Sequence, residues 1–312
     1  VRIGGDAALL KGLIKVQVDQ QAINHDFVTS KTTGMDEMIA KVAATSWDQI
    51  TKDSGLSKAD IQVAGRMLAQ SKATIACWAM GLTQHRNGVA VIQEVVNLLL
   101  LGGHVGKKGA GFCPVRGHSN VQGDRTVGIW EAPTDAFLDR LQEGLGFEVP
   151  REHGHDVVNV IDAMGRGEID FFFCMGGNFL SATPDTDVTA RGLSNIPLTV
   201  QVSTKLNRSH LVTGETAIIL PCLGRTEVDV QGGVKQFVTV ENSMGVVHRS
   251  QGGLQPASPS LRSEPWIVAE LAESTLGVEH LPWRELGQDY SKVRDLMERS
   301  LFGFDRYNER VN

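Results

Sequence analysis

One short stretch concentrates groups able to hold an anion. Residues 113–128 read Cys-Pro-Val-Arg-Gly-His-Ser-Asn-Val-Gln-Gly-Asp-Arg-Thr-Val-Gly, with little apolar surface to bury. Arg116 stands between Val115 and Gly117. A guanidinium fork suits bidentate contact with a carboxylate or phosphate. The plain alternative is a structural ion pair, which the polar, glycine-rich surroundings disfavour. His118, two residues on, could donate to a ligand or titrate near neutrality. Asn120 and Gln122 add amides able to bond a heterocycle or brace the loop. Arg125, after Asp124, reads as a brace for the loop itself.

Three further loops carry similar chemistry: Met80-Gly81-Leu82-Thr83-Gln84, Gly176-Gly177-Asn178 and Gln201-Val202-Ser203-Thr204. Each follows an apolar run that reads as a strand. Open parallel sheets bind ligands at the carboxyl ends of their strands. Glycine there lets backbone approach a ligand, and free N–H groups bind phosphate oxygens. Taken singly, each loop is ordinary turn chemistry. Together with the Arg116 loop they favour a dinucleotide-like ligand. His85, Arg86 and His104 lie near these loops and are expected not to touch ligand. His153 and His155 flank a glycine with no third ligand, as in a solvated loop. Glu227, Asp229 and Glu241 could form an acidic rim and read rather as ordinary surface charges.

Other chemistries are not signalled. The four cysteines, Cys77, Cys113, Cys174 and Cys222, contain no C-x-x-C. A local zinc site or iron–sulfur cluster is therefore not indicated, and buried free thiols are expected. Nucleophile-elbow, zincin and Walker A patterns are missing. The run from Gly102 to Gly109 resembles a phosphate loop, but it lacks the Lys-Ser/Thr ending and follows a helix.

The elements that must position these groups follow from periodicity. Helices are predicted over residues 6–18, 35–44 and 89–101, with another starting at Ser57-Lys58-Ala59-Asp60 in a capping-box-like pattern. A short apolar run at 73–80 reads as a buried strand, and 81–87 as a loop. Strand, loop and helix in that order build parallel sheets. Residues 102–130 lack periodicity and read as one long functional loop. Helices are then predicted at 134–143, 157–166, 185–193 and 266–274, and strands at 169–175, 198–202 and 217–220. A hairpin joins 237–241 to 246–249, and 254–264 reads as loop. The predicted fold is α/β: two Rossmann-like units with mostly parallel sheets. The units are placed at 1–118 and 119–275, with a C-terminal segment at 276–312.

Composition agrees. A length of 312 residues suits about two domains. Hydrophobic residues make up 41%, enough for real cores. Glycine at 34 residues exceeds the usual share of roughly 7% and fits many backbone turns over a ligand. A net charge of −6 and few aromatics argue against a nucleic-acid surface. No apolar run reaches the roughly 18 residues of a membrane span, and no signal peptide is seen, so a cytoplasmic protein is expected. A start at Val1 rather than Met is what either a part of a longer chain or a trimmed one would show.

These residues resemble the molybdopterin oxidoreductases, most of all formate dehydrogenase alpha subunits. The matching segments begin with Val63-Ala64-Gly65-Arg66-Met67-Leu68-Ala69-Gln70 and Met80-Gly81-Leu82-Thr83-Gln84. Leu100-Leu101-Gly102-Gly103-His104-Val105-Gly106-Lys107 follows, then the stretch from Pro114 to Gly123, then Ile218-Ile219-Leu220-Pro221. The resemblance covers nearly the whole chain, to about Ala272. It implies a fold like the first three domains of formate dehydrogenase and DMSO reductase. It also implies two molybdopterin guanine dinucleotides holding one Mo or W atom in the complete enzyme.

By position, Met80, Gln84, Gly117 and His118 would touch the pterin or its diphosphate, with Gly81 and Asn120 as further cofactor-binding residues. Gly176, Asn178 and Gln201 would lie along a dinucleotide. Many relatives carry an acidic residue where this chain has Asn178. Arg116 and His118 would be the catalytic pair, Arg116 holding a small anionic substrate as hydride leaves for the oxidised metal. Better-known members carry glutamine at the place of His118, so the substrate class is implied and formate itself is not fixed.

Two departures shape the expectation. The family's metal-ligating cysteine or selenocysteine precedes histidine, and none of the four cysteines here does. The amino-terminal iron–sulfur segment and the carboxy-terminal β-barrel are also missing from this sequence, so an iron–sulfur cluster is possible only in a preceding part. The chain is therefore expected to be the middle of a longer oxidoreductase, inactive alone, with an electron-transfer partner for the whole enzyme. The alternative is a non-catalytic pterin-dinucleotide binding module or assembly scaffold.

Overall fold

A computed structural model describes all 312 residues, Val1–Asn312, and they divide into two compact units, Val1–Val121 and Gln122–Asn312. The first unit opens with five helices: α1 (Asp6–Asp19), α2 (His25–Lys31), α3 (Met35–Ala44), α4 (Trp47–Ser54) and α5 (Lys58–Gln70). Strand β1 (Ile75–Trp78), the single turn α6 (Met80–Thr83), helix α7 (Gly88–Leu101) and strand β2 (Gly111–Pro114) follow.

The helices form where caps and apolar spacing agree. Ser57 accepts from the Asp60 backbone N–H at 3.2 Å and donates to the Asp60 carboxylate at 2.6 Å, so the capping pattern in the sequence starts α5 as expected. Helix α1 supplies the middle of the core with Leu10 and Ile14, against Val91, Val95, Leu98 and Leu101 of α7. Ile14 is fully buried, which stabilises the fold by about 1.5–3 kcal/mol. Helices α1 and α5 approach closely because position 65 is glycine. A Cβ there would stand 2.5 Å from Val16 Cβ, closer than real contacts allow.

Strands β1 and β2 pair in parallel, Ile75 opposite Gly111 and Trp78 opposite Pro114. The predicted long loop at 102–130 is thus interrupted. It contains β2 and helix α8 (Val121–Thr126). A four-residue strand ending in proline has no period to read, and it becomes a strand only by pairing with β1. Likewise the predicted loop at 81–87 begins as the helical turn α6.

The second unit continues with α9 (Asp135–Leu145), α10 (Val157–Gly165), β3 (Phe171–Met175), α11 (Phe179–Ala182), α12 (Thr186–Ser194), β4 (Leu198–Ser203) and β5 (Thr216–Pro221). Short strands β6 (Val230–Gln231), β7 (Val234–Lys235), β8 (Val238–Glu241) and β9 (Val247–Ser250) come next. Helices α13 (Glu264–Leu276), α14 (Trp283–Gln288), α15 (Tyr290–Ser300) and α16 (Tyr307–Val311) close the chain. Strands β3, β4 and β5 form a parallel sheet in that order, with Phe171 opposite Leu198 and Leu198 opposite Thr216. The β6–β7 and β8–β9 pairs are antiparallel, the latter being the expected hairpin. The fold is mixed α/β with mostly parallel sheets.

Met164, Leu180, Leu193 and Ile196 form one core of this unit, with Phe172 of β3 packed against it. Leu301, Phe304 and Tyr307 form another near the C-terminus. No helix is long and apolar enough to cross a membrane.

Candidate functional site

Parallel pairing fixes where the loops emerge. In the first unit, Trp78 and Pro114 are register partners, so β1 and β2 end side by side. Val115 N–H donates to Trp78 O at 2.7 Å and carries the ladder one residue past β2. The Met80 turn leaves one strand and the Arg116 loop leaves the other, at the same edge. The two meet: a Cβ at Gly117 would lie 3.6 Å from Met80 Cε. Gln84 closes the turn, its backbone N–H donating to Met80 O at 2.9 Å and its Nε2 to Met80 Sδ at 3.4 Å. His85 Nε2 lies 2.7 Å from Gly81 O. Arg116, Gly117 and His118 are exposed, as are Met80, Gly81 and Gln84. Asn120 is half-buried in the left-handed region, φ 65°, and turns the loop into α8. Arg125 donates to Ile129 O at 2.8 Å, a brace as expected. The Met80 turn and the Arg116 loop therefore leave the sheet at one edge.

The second unit repeats the arrangement. Gly176 N–H donates to Val202 O at 2.8 Å, and Cys222 N–H to Ser203 O at 3.2 Å, so three loops leave the sheet together. Gly176 and Gly177 have φ of 69° and 70°, a conformation that side-chain-bearing residues avoid. Asn178 follows. Its Oδ1 accepts from Ser209 Oγ at 2.9 Å and from Ser181 N–H at 3.4 Å. That fixes the amide so that Nδ2, which bonds nothing within the chain, is the outward donor. Gln201 is 5% exposed, and its Nε2 donates to Ser209 O at 3.0 Å. Gln201 thus holds the loop and does not present its amide group. It lies inside β4, so the predicted third loop begins only at Thr204.

Sequence reasoning passed over Asn207, Ser209 and His210. Asn207 donates through Nδ2 to Gly177 O at 2.8 Å and accepts at Oδ1 from Ser209 N–H at 2.9 Å. His210 Nδ1 accepts from Asn207 N–H at 2.9 Å. Its Nε2 is buried without a partner. Asn207 and His210 form a capping box, a spacing legible in Asn-Arg-Ser-His.

Two expectations need correction. Of the four thiols only Cys222 is buried. Cys113 and Cys174 are half-buried and Cys77 is exposed, because β1 alternates its side chains between a covered and an open face. Glu227 and Asp229 are not idle surface charges. Glu227 accepts from Gly224 N–H at 2.6 Å and Ala257 N–H at 2.9 Å, and Asp229 accepts from Tyr290 Oη and, at 2.7 Å, from Gln231 Nε2.

One carboxyl group stands beside the second edge. Glu264 Oε1 lies 3.9 Å from where a Gly176 Cβ would be, and burial pushes its carboxyl pKa up, toward the neutral form. No group of three or more His, Cys, Asp or Glu is placed to hold a metal ion. The glycines that allow close approach, the Asn178 amide donor and the unpartnered His210 Nε2 fit the organic part of a dinucleotide cofactor.

Residues 13–273 match the molybdopterin oxidoreductase family. The chain belongs to that family. It is 48% identical, over its whole length, to an uncharacterized oxidoreductase of Mycobacterium tuberculosis, and 43% identical to Protein YdeP of Escherichia coli K12. It spans 41% and 42% of those relatives, about two fifths of their length. Formate dehydrogenase H of Escherichia coli is 27% identical over 63% of this chain and 29% of that protein. Acetylene hydratase from Pelobacter acetylenicus shares the fold, with a TM-score of 0.60 and 20% identity over 94% of this chain and 43% of the other.

Proposed function

We propose that this chain is the cofactor-binding core of a molybdopterin guanine dinucleotide-dependent oxidoreductase, like formate dehydrogenase, that oxidises a small anionic substrate. The observation that carries this reading is the convergence of the Met80 turn and the Arg116 loop at one strand-end edge. When bound, the cofactor and its Mo or W atom supply a two-electron redox centre. Met80, Gly81, Gln84, Gly117 and Asn120 hold the pterin side. Gly176, Gly177 and Asn178 line a dinucleotide. Asn178 offers a donor where an acidic residue would offer acceptors, so it faces a nucleobase acceptor such as guanine O6 or N7.

Arg116 clamps the anionic end of the substrate and stabilises charge as the hydride leaves. His118 beside it donates a hydrogen bond to the same substrate. On this reading none of the four cysteines here is the metal ligand, since none precedes a histidine. The isolated chain accordingly turns nothing over.

The test is Arg116→Ala in the full-length polypeptide that carries this chain, assayed by dye reduction with formate and other small oxyanions. Removing a charge-stabilising donor costs about 10²–10³ in turnover, while pterin content stays within about twofold on this reading. Lost pterin with unchanged turnover per loaded enzyme would make Arg116 a cofactor ligand only.

A further inference from the structure

Below the Arg116 loop lies a pair of thiols that the proposed reaction does not use. Cys77 of β1 and Cys113 of β2 are direct register partners. In a parallel pair, register partners project from the same face of the sheet, one strand spacing apart, about 4.8 Å. Cys77 is exposed and Cys113 half-buried, so solvent reaches the pair. Strand register therefore sets the two thiols side by side on that face. The pair sits three residues before both Met80 and Arg116, so anything that bridges it ties together the roots of both loops.

Three uses of such a pair can be separated by magnitude. A disulfide needs Cβ atoms about 3.8 Å apart, closer than the strand spacing of about 4.8 Å, so the two side chains would have to lean together. A peroxide sensor needs a thiolate stabilised by a nearby cation or helix N-terminus, whereas the register neighbour of Cys77 is a second thiol. A structural zinc site needs four ligands, and no third His, Cys, Asp or Glu joins the pair. Two metal–sulfur bonds of about 2.3 Å each reach about 4.6 Å when collinear and less when bent. That span matches two side chains one strand apart. Soft thiolates select soft cations, Cu(I) above all.

We propose that Cys77 and Cys113 form a two-coordinate site for a soft monovalent cation of the Cu(I) type, bridging β1 and β2. Binding replaces both thiol protons: one cation and two thiols give one anionic bis-thiolate complex and two released protons. No electron is exchanged. Each thiol acts as the local anchor for the other, so losing either should weaken binding by about 10²–10⁴-fold.

The experiment titrates the full-length polypeptide anaerobically with Cu(I) held by a competing chelator. It compares the parent with Cys77→Ser, Cys113→Ser and Cys174→Ser. Thermal melting of the metal-free proteins checks that each variant is folded, and X-ray absorption counts the sulfur neighbours. The proposal expects the parent and Cys174→Ser to bind one more equivalent than Cys77→Ser or Cys113→Ser, with two sulfur neighbours in that site. It is overturned if either single variant retains that equivalent at the parent's affinity. It is overturned equally if the parent binds no more than the variants, or if mild air oxidation joins the two thiols in a disulfide before metal is added.

Discussion

Ser209→Ala probes the second strand-end edge at its keystone. Ser209 is 3% exposed, and its hydroxyl makes two hydrogen bonds. It accepts from Leu180 N–H at 2.9 Å and donates to Asn178 Oδ1 at 2.9 Å. Alanine removes both. A neutral hydrogen bond contributes about 1 kcal/mol net, and a buried donor left unpaired costs about 1–3 kcal/mol. The second unit should therefore lose about 2–4 kcal/mol. Ser194→Ala is the control. That hydroxyl bonds only Ala190 O on an exposed helix face, so its loss should cost no more than about 0.5 kcal/mol. Urea unfolding followed by circular dichroism reads the difference, and amide exchange localises it to Leu180. In the full-length polypeptide the same variant should lower guanine dinucleotide content, because the Asn178 amide loses its fixed orientation. A cost below about 0.5 kcal/mol, with Leu180 exchange unchanged, would refute the claim that Ser209 holds this edge together.

Two further outcomes concern titration. Tyr290 is buried, and its pKa lies well above the ordinary tyrosine value, first through burial and then through its bond to Asp229. A phenol raised in the folded state confers stability that is complete below pH 10 or so and falls as pH rises, because the unfolded chain ionises first. The parent should lose up to about 1.4 kcal/mol per pH unit above that point through Tyr290, and Tyr290→Phe should show a shallower slope, that of the remaining raised groups such as Tyr307. Equal alkaline slopes would contradict it. Cys222 has its pKa pushed up to about 11 by burial and by Glu264 and Glu227. At pH 8 only about one thiol in a thousand is ionised, so iodoacetamide should label Cys222 far more slowly than Cys77, and at comparable rates once urea unfolds the chain. Equal rates in the folded protein would contradict its burial.

Much of this arrangement was legible in the sequence, for reasons that differ by element. Helix α5 announces itself through Ser57 and Asp60, because a cap is a local interaction. Strands β1, β3, β4 and β5 are apolar runs bounded by glycine or proline, so they stand out. Strand β2 does not, since its ladder partner lies more than thirty residues earlier. The C-terminal helices hide for another reason. Arg294 is 5% exposed yet charged, held by Asn308 Oδ1 at 2.6 Å, by Phe237 O at 3.2 Å and by the Phe237 ring face. A periodicity argument scores such a residue as surface. At the site, glycines and Arg116 mark the loops that meet ligand. Ser209 does not announce itself, because its partner Asn178 is 31 residues away and reaches it only through β4. Gln201 shows the converse. Its place beside the loop was readable, but only the structure reveals that its amide faces inward, toward Ser209.

The central claim is that these strand-end edges hold a pterin dinucleotide. The most direct test is to denature the full-length polypeptide that carries this chain and quantify what it releases: oxidised pterin by fluorescence, guanine nucleotide by chromatography, and molybdenum and tungsten by mass spectrometry. The account predicts pterin and guanine nucleotide in equal amounts, each about twice the metal. Metal-free protein that still carries guanine nucleotide would favour the binding module over the enzyme. Protein from cells supplied with both metals that releases neither pterin nor guanine nucleotide would contradict the account.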